Sequence, residues 1–277
     1  MKTILVTGSA GFIGYHLTKE LLEQGHSILT IDNADLVVPK YPSLNTQHLD
    51  DLYVKYSNVD SLDKLQFRRL RASIRFPLKP KIWSDWLSDV SHVIHLAALV
   101  GVRDSILRSD EYVRTNVEGF VNVMELCKSI PKLEHFIYAS SSSVYGATKA
   151  EQFSIHSGVD HPISIYAATK RANELLAHSY SWQYLIPCTG LRFFTVYGQH
   201  ARQDMAIPKF TELIRRDMPV NLYGSGIQSR DFTHVNDIVS AIVDLLDKPP
   251  SPNPAFYQTY FYDPASSSAP FKIHNVC

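Results

Sequence analysis

The chain has few cysteines, no excess of charge of either sign and no long apolar run. Its three cysteines, Cys127, Cys188 and Cys277, lie far apart without a CxxC pair, which excludes an obvious zinc site and suits a reducing compartment. The 27 basic residues equal the 27 acidic ones, so no basic stripe points to nucleic acid. No stretch approaches the ~20 apolar residues of a membrane span. The short run after Lys2 breaks at Gly8, which indicates a strand rather than a signal peptide. We therefore expect a cytoplasmic protein with no metal, nucleic-acid or membrane partner.

Strand-like and helix-like segments alternate along the 277 residues, and this alternation predicts an α/β fold with a doubly wound parallel sheet. Strands are expected at residues 4–6, 27–31, 92–96, 136–139, 189–194 and 220–223. Helices are expected at 12–24, 111–129, 165–182, 207–216 and 235–246. Residues 33–90 are harder to interpret, and we expect a helix, a poor strand and another helix there.

Glycines follow the first predicted strand directly. Gly8 allows a sharp turn, Gly11 lets the backbone approach a pyrophosphate, and Gly14 lets the next helix pack closely. The free N–H groups of the helix start then face phosphate charge. Asp32 ends the second strand, where a carboxylate suits the two ribose hydroxyls of NAD. The alternative is a glycine-rich turn with a solvated Asp. The NAD site is predicted to comprise Gly8, Gly11, Phe12, Ile13, Gly14, Asp32 and Asn33.

A tyrosine and a lysine stand one helical turn apart at Tyr166 and Lys170. A free phenol titrates near ~10, and lowering its pKa by about three units requires roughly 4 kcal/mol, which nearby cations in a dry cleft can supply. Ser141 follows a predicted strand, at the rim where doubly wound sheets bind ligands, and its hydroxyl can bond the oxygen that Tyr166 deprotonates. Each motif alone also fits a plainer interpretation, a surface helix pair and a serine-rich loop.

Taken together, these motifs resemble the extended short-chain dehydrogenase/reductase family of NAD-dependent epimerases and dehydratases, in particular the UDP-glucuronate 4-epimerases. The segments that carry the resemblance are residues 8–14, 95–98, 101–103, 115–117, 139–146, 166–174, 191–198, 202–205 and 230–232. The resemblance implies a Rossmann-type sheet with a small C-terminal substrate lobe, divided at 1–186 and 187–277 but interleaved. It also implies a homodimer that pairs through residues 111–129 and 165–182.

The same resemblance implies reversible oxidation of a sugar 4-hydroxyl. Tyr166 would act as base and then acid, Lys170 would tune it and hold the cofactor, and Ser141 would orient the 4-oxygen. Ala97, Ala98 and Asn116 would line the NAD site. Substrate contacts are expected from Ser141, Ser142, Ser143, Arg103, Thr195, Arg202 and Arg230.

Within that substrate set, hydroxyl groups are expected to bind the carboxylate of an acid sugar. Ser142 and Ser143 add donors beside Ser141, and Thr195 stands where epimerases of neutral sugars carry Asn. Arg230 matches the arginine that pairs with the UDP pyrophosphate. The dehydratases carry an Asp–Glu pair where Ser142 and Ser143 stand, so elimination lacks its acid–base catalyst here.

Two features depart from the family pattern. Residues 67–74 contain no acid where relatives carry an adenine-contacting Asp. The chain stops after residues 271–277, where relatives continue for several tens of residues, so we expect an apparently truncated substrate lobe. Two alternatives therefore stay open: a 4-epimerase of neutral UDP-hexoses, and a non-catalytic NAD-binding remnant. His95 is expected to be a core histidine, and His16, His92 and His234 show no ligand spacing.

Overall fold

A single parallel sheet of seven strands organises the protein. The computed structural model describes residues 1–33, 45–57, 66–79, 84–148, 152–222, 226, 229–258 and 262–277. The strands of the sheet are β1 (Thr3–Thr7), β2 (Ser27–Asp32), β3 (Phe67–Arg71), β4 (Val90–His95), β5 (His135–Ser141), β6 (Cys188–Phe193) and β9 (Phe271–Val276). Their order is β3-β2-β1-β4-β5-β6-β9. The chain moves outward from β1 to β3 and then returns to β4, so a crevice opens at the carboxyl ends of β1 and β4. The predicted doubly wound sheet is confirmed.

A second, two-stranded parallel sheet joins β7 (Thr195–Tyr197) to β8 (Phe232–His234). The α-helices are α1 (Phe12–Glu23), α2 (Asn45–Ser57), α3 (Ser84–Leu87), α4 (Val102–Leu107), α5 (Ser109–Tyr112), α6 (Gly119–Cys127), α7 (Ile165–Tyr184), α8 (Ala206–Arg215) and α9 (Val235–Leu245). A π-helix, Val113–Glu118, connects α5 to α6, and 3-10 helices occupy Ser142–Tyr145 and Phe256–Gln258. Among the described residues no helix is long and apolar enough to cross a bilayer.

Alternating side chains of the sheet pack into two hydrophobic cores, one on each face of the sheet. Ile4 and Val6 of β1 point to one face, where they join Leu17 of α1 and Ile238 of α9. Leu5, between them, points to the other face and joins the cluster that α6 and α7 cover. Both faces of the sheet are therefore buried, as a parallel sheet requires.

Most predicted elements are confirmed with shifts of a few residues at their ends. Residues 33–90 contain the expected order of helix, strand and helix in α2, β3 and α3. The expected helix at 111–129 is interrupted near its start, where Val113–Glu118 form the π-helix.

The strand expected at 220–223 is wrong over residues 220–222. These residues adopt no regular structure, and Leu222 is 65% exposed. Tyr223 lies outside the described residues. The short strands β7 and β8 were not predicted, because three residues give too little alternation to detect.

A close backbone contact at the start of α1 generates the first prediction. A Cβ on Gly14 would lie 2.0 Å from the carbonyl oxygen of Gly8. We expect Gly14→Ala to destabilise the fold by about 1–3 kcal/mol, the usual cost of overpacking. Chemical denaturation measures this, with Gly158→Ala as the matched control, since a Cβ there meets only Asp160 at 3.5 Å. Equal stability of the two variants would contradict the contact.

Candidate active site

The glycine loop after β1 lies against the end of β4. Gly8 has a φ of 78°, and its N–H donates to the carbonyl of Ile31 at 3.0 Å. A Cβ on Gly8 would lie 2.6 Å from the backbone nitrogen of Ala97. Gly11 N–H donates to Gly8 O at 3.0 Å, which closes the turn. Only glycine at position 8 permits this approach, so the loop and β4 form one edge of the crevice.

The carboxylate of Asp32 is held in the same place. Its Oδ2 accepts from the backbone N–H of Ala10 at 2.9 Å. The hydroxyl of Ser9 is buried inside the loop and has no hydrogen-bond partner among the described residues. The remaining residues predicted for the dinucleotide are partly buried and follow β1, β2 and β4 at this edge: Phe12, Ile13, Asn33 and Ala98.

His95 is a core histidine, as expected. Its Nδ1 lies 2.8 Å from Thr7 Oγ1, which also accepts from Ala97 N–H at 3.3 Å. Burial lowers the pKa of His95 to about 3, so the ring is neutral. Thr7 thus fixes the segment after β4. Its role was not predicted, since a threonine inside an apolar strand looks like an ordinary β-branched residue.

The structure brings Ser141 and Tyr166 together. Ser141 ends β5, and its Oγ accepts from Ser143 N–H at 3.1 Å. α7 begins beside it, capped by Ser164, whose Oγ accepts from Ala167 N–H at 3.1 Å. Burial raises the pKa of Tyr166, whereas the hydrogen bond with Ser141 lowers it. Two residues 25 positions apart in sequence are therefore brought into contact.

Lys170 is buried one turn further along α7, at 2% exposure. Its Nζ donates to the carbonyl of Ala139 at 2.8 Å, and burial lowers its pKa to about 8. Among the described residues, Ser141 and Arg202 are the groups that lower the pKa of Tyr166, and Lys170 is not one of them. The expected tuning of Tyr166 by Lys170 therefore stays a prediction.

Among the described residues, Arg202 is the cation whose charge lowers the pKa of Tyr166. A Cβ on Gly101 would lie 3.6 Å from Arg202 Nη2. The guanidinium is paired with Asp204, with Nε to Oδ1 at 2.9 Å, so it is held near the phenol rather than loose in solvent.

Asn116 and Tyr112 support the pair from the segment that joins α5 to α6. Asn116 accepts from Leu99 N–H at 2.8 Å and donates to Thr169 Oγ1 at 3.1 Å. The ring of Tyr112 packs edge-on against Tyr166, with centroids 6.4 Å apart. Tyr112 was not predicted, although its position four residues before Asn116 places both on one helical face.

The other residues predicted to contact the substrate lie on several separate elements. Ser142 and Ser143 open the 3-10 helix that follows Ser141 and are partly buried. Thr195 begins β7 and is also partly buried. Arg103 is exposed on α4. Arg230 is exposed too, and its Nη1 donates to its neighbour's carbonyl, Ser229 O, at 2.7 Å, with no described contact to Tyr166.

The other histidines singled out in the sequence have structural partners. His16 Nε2 lies 2.8 Å from Gln199 O, and His92 Nε2 lies 2.9 Å from Leu246 O. His234 caps α9 through Asn236 N–H at 3.3 Å. In the part of the chain that the structure describes, no cluster of His, Cys, Asp or Glu is arranged to hold a metal ion.

Comparison with known proteins identifies the family of this chain. Residues 4–258 match the NAD dependent epimerase/dehydratase family. This chain belongs to that family. It is 43% identical to Protein CapI of Staphylococcus aureus, over 99% of this chain and 77% of that protein. It is 38% identical to a probable UDP-glucuronate 4-epimerase of Rhizobium meliloti, over 98% of this chain and 76% of that protein.

A solved structure of the family shares the fold. UDP-glucuronic acid 4-epimerase from Bacillus cereus, in complex with UDP-glucuronic acid and NAD, superposes with a TM-score of 0.76 at 31% identity. The match covers 99% of this chain and 77% of that one. The Rossmann-type α/β architecture and the family resemblance are therefore confirmed.

The charge of Arg202 generates a prediction for this epimerase-family site. We expect Arg202→Met to raise the pKa of Tyr166, because the positive charge that favours phenolate is removed. Ultraviolet absorbance during a pH titration follows the phenolate, with the same titration of Tyr166→Phe subtracted.

The control for this titration is Arg215→Met, which removes an exposed guanidinium paired with Glu212 on α8. An unchanged pKa of Tyr166 in Arg202→Met would show that the two groups do not interact.

Proposed function

We propose that this protein interconverts UDP-glucuronate and UDP-galacturonate by inverting carbon 4, with NAD as its resident cofactor. The contact between Ser141 and Tyr166 at the carboxyl end of β5 carries the proposal. It places a donor and a base beside the crevice that the glycine loop lines. Relatives with over 75% of their length covered by this chain support the acid sugar as substrate.

The glycine loop fits NAD. A Cβ at Gly8 or Gly14 would meet backbone at less than 3 Å, so only glycine there allows the tight turn between β1 and α1. The buried hydroxyl of Ser9 lacks a partner among the described residues, and a pyrophosphate oxygen would accept from it. Asp32 would hold the ribose, and Ala97, Ala98 and Asn116 would line the nicotinamide side. NAD supplies the acceptor and donor of hydride when bound.

The residues of this chain handle the proton. Tyr166 in its phenolate form takes the proton of the 4-hydroxyl at its Oη and later returns it to the 4-oxygen, when carbon 4 is reduced again with the opposite configuration. Ser141 accepts from Ser143 N–H and bonds Tyr166 in the absence of substrate. With the sugar bound, its single hydroxyl proton would turn to the 4-oxygen. Lys170 fixes α7 on Ala139, and Arg202 favours the phenolate.

Hydroxyl groups are assigned to the sugar carboxylate. Ser142 and Ser143 follow Ser141 in one tight turn, and Thr195 begins β7. A 4-keto uronic acid is a β-keto acid that loses carbon dioxide when its carboxylate is badly oriented, so a tight hold protects the intermediate. Arg202 and Arg103 are assigned to the substrate, and Arg230 to the pyrophosphate.

We assign residues 1–186 to NAD binding and 187–277 to substrate binding. β6 and β9 of the second segment lie in the large sheet, which supports an interleaved division. The cytoplasm is our proposed location, because a reducing compartment suits the three unpaired thiols.

A homodimer through α7 and the segment before α6 completes the proposal. Apolar side chains are exposed there, with Leu175 at 55%, Trp182 at 51% and Val113 at 43%. Exposed large apolar side chains, where they cluster, mark protein–protein contact sites. Sedimentation velocity decides between a dimer and a monomer.

The function is tested by identifying the product. NMR of a reaction started from UDP-glucuronate should show UDP-galacturonate, and deuterium at carbon 4 should be retained within the sugar. A parallel reaction contains UDP-glucose. Turnover of UDP-glucose alone would favour a neutral-sugar epimerase, and NAD binding without exchange at carbon 4 would favour a non-catalytic remnant.

Tyr166→Phe tests the base. We expect the variant to bind NAD like the wild type and to lose roughly 10²–10⁴-fold in kcat, the usual contribution of a positioned acid–base group. Steady-state kinetics and NAD titration measure both. Tyr184→Phe is the matched control, since Tyr184 lies at the far end of α7 and is 47% exposed. Full activity of Tyr166→Phe would exclude it as the base.

A further inference from the structure

A buried ion pair lies behind the active site and has no part in the mechanism described above. The side chains of Glu174 on α7 and Arg192 on β6 are both fully buried. Arg192 donates twice to the carboxylate, from Nε to Oε1 at 2.8 Å and from Nη2 to Oε2 at 2.9 Å. Replacing such a pair by apolar residues often leaves stability unchanged or higher. Stability alone therefore does not explain the pair, and its other contacts indicate its role.

Glu174 connects the catalytic helix to the catalytic strand. Ser140, directly before Ser141 in β5, donates its hydroxyl to Glu174 Oε1 at 2.6 Å. Lys170, one turn earlier on α7, donates to Ala139 O at 2.8 Å. Tyr166, one further turn earlier, meets Ser141. Side chains at four-residue intervals on one face of α7 thus contact the last three residues of β5.

Arg192 reaches in the other direction, to the turn that holds Ser142 and Ser143. Its guanidinium lies over the ring of Tyr145, 4.8 Å from the centroid. Tyr145 ends that turn, and its hydroxyl donates to Asn275 Oδ1 at 2.7 Å. One buried arginine therefore touches both the support of the base and the turn assigned to the sugar carboxylate.

The directionality of its hydrogen bonds explains why Glu174 and Arg192, and not two apolar residues, lie between α7 and β6. A bidentate arginine–carboxylate contact fixes both distance and angle, whereas apolar side chains of equal volume slide past one another. Proton transfer tolerates little sliding, since misplacement by about 1 Å can cost ~10²-fold in rate.

We propose that Glu174 and Arg192 are positioning residues that hold Tyr166 and Ser141 in contact and hold the Ser142–Tyr145 turn beside them. The pair sets the register of α7 on β5 and β6. It is a contribution to the epimerisation proposed above and rests on that function for its kinetic consequences. Its effect on the phenol of Tyr166 is independent of any substrate.

The test removes both charges at once, in Glu174→Leu/Arg192→Met. A single substitution would strand a buried charge and unfold the protein, whereas the double variant removes both buried ions. Arg171, whose Nη1 also bonds Glu174 Oε2 at 3.1 Å, is partly exposed and keeps its ion pair with Asp160. We expect it to fold and bind NAD like the wild type, with kcat at least about tenfold lower and KM changed less. The pKa of Tyr166 should rise as its bond with Ser141 weakens, which moves the acid limb of the pH–rate profile to higher pH. The phenolate absorbance titration measures that pKa without substrate.

Ser140→Ala is the second variant, and it removes only the bond to Glu174 Oε1. The same changes are expected at smaller size, and this variant decides the matter if the double variant does not fold. Asp89→Asn is the control, because Asp89 is an exposed carboxylate paired with Lys132. It should leave kcat and the Tyr166 titration as in the wild type.

The kcat and the Tyr166 pKa of the variants together distinguish the positioning role from the epimerase function. Wild-type kcat and an unchanged pKa of Tyr166 in folded variants would overturn the positioning role while the epimerase function stands. A raised pKa of Tyr166 in variants of a protein whose wild type does not turn over UDP-glucuronate would uphold the positioning role and overturn the function. Reduced kcat together with the raised pKa supports both.

Discussion

The attachment of α7 to the end of β5 is the constraint on which the active site depends. Tyr166 is useful only if its hydroxyl meets Ser141, and neither residue sets that distance by itself. The buried bond from Lys170 Nζ to Ala139 O fixes the helix against the strand close to the phenol. A buried ammonium needs an acceptor, so this bond is hard to break once water is excluded. Lys170 therefore has a structural role, attaching α7 to β5, that is separate from any effect of its charge on the pKa of Tyr166.

The glycine loop applies a comparable constraint across the crevice. At Gly8 and Gly14, backbone meets backbone where side chains would ordinarily separate the elements. α1 and the segment after β4 can therefore approach within contact distance of the loop. β1, the glycine loop and the end of β4 are therefore packed tightly together on one side of the crevice, and Tyr166 on α7 lies on another element. The chemistry takes place between two elements that are each fixed by short backbone contacts.

Local signals predicted much of this. The glycine loop and the tyrosine–lysine pair each fall within a few residues, so spacing alone places them on a turn and on one helical face. Ser141 could be predicted because strand ends in a parallel sheet share one edge. Contacts that join distant segments were beyond this reasoning. Tyr112 meets Tyr166 across 54 residues, and Arg202 acts on the same phenol from a loop after β7. The strand expected at 220–222 was wrong for the opposite reason, since β-propensity without a pairing partner does not make a strand.

The π-helix between α5 and α6 has a geometric consequence for the whole crevice. Each residue turns a helix by about 100°, so one residue added to a turn rotates everything that follows by that angle. Before the wide turn, Tyr112 faces the phenol; after it, Phe120 faces the apolar layer beneath the sheet. In a regular helix of the same sequence, Phe120 would face about 100° away from its present direction relative to Tyr112. The π-helix thus lets one continuous helical segment place Tyr112 beside the phenol of Tyr166 and Phe120 in the hydrophobic core.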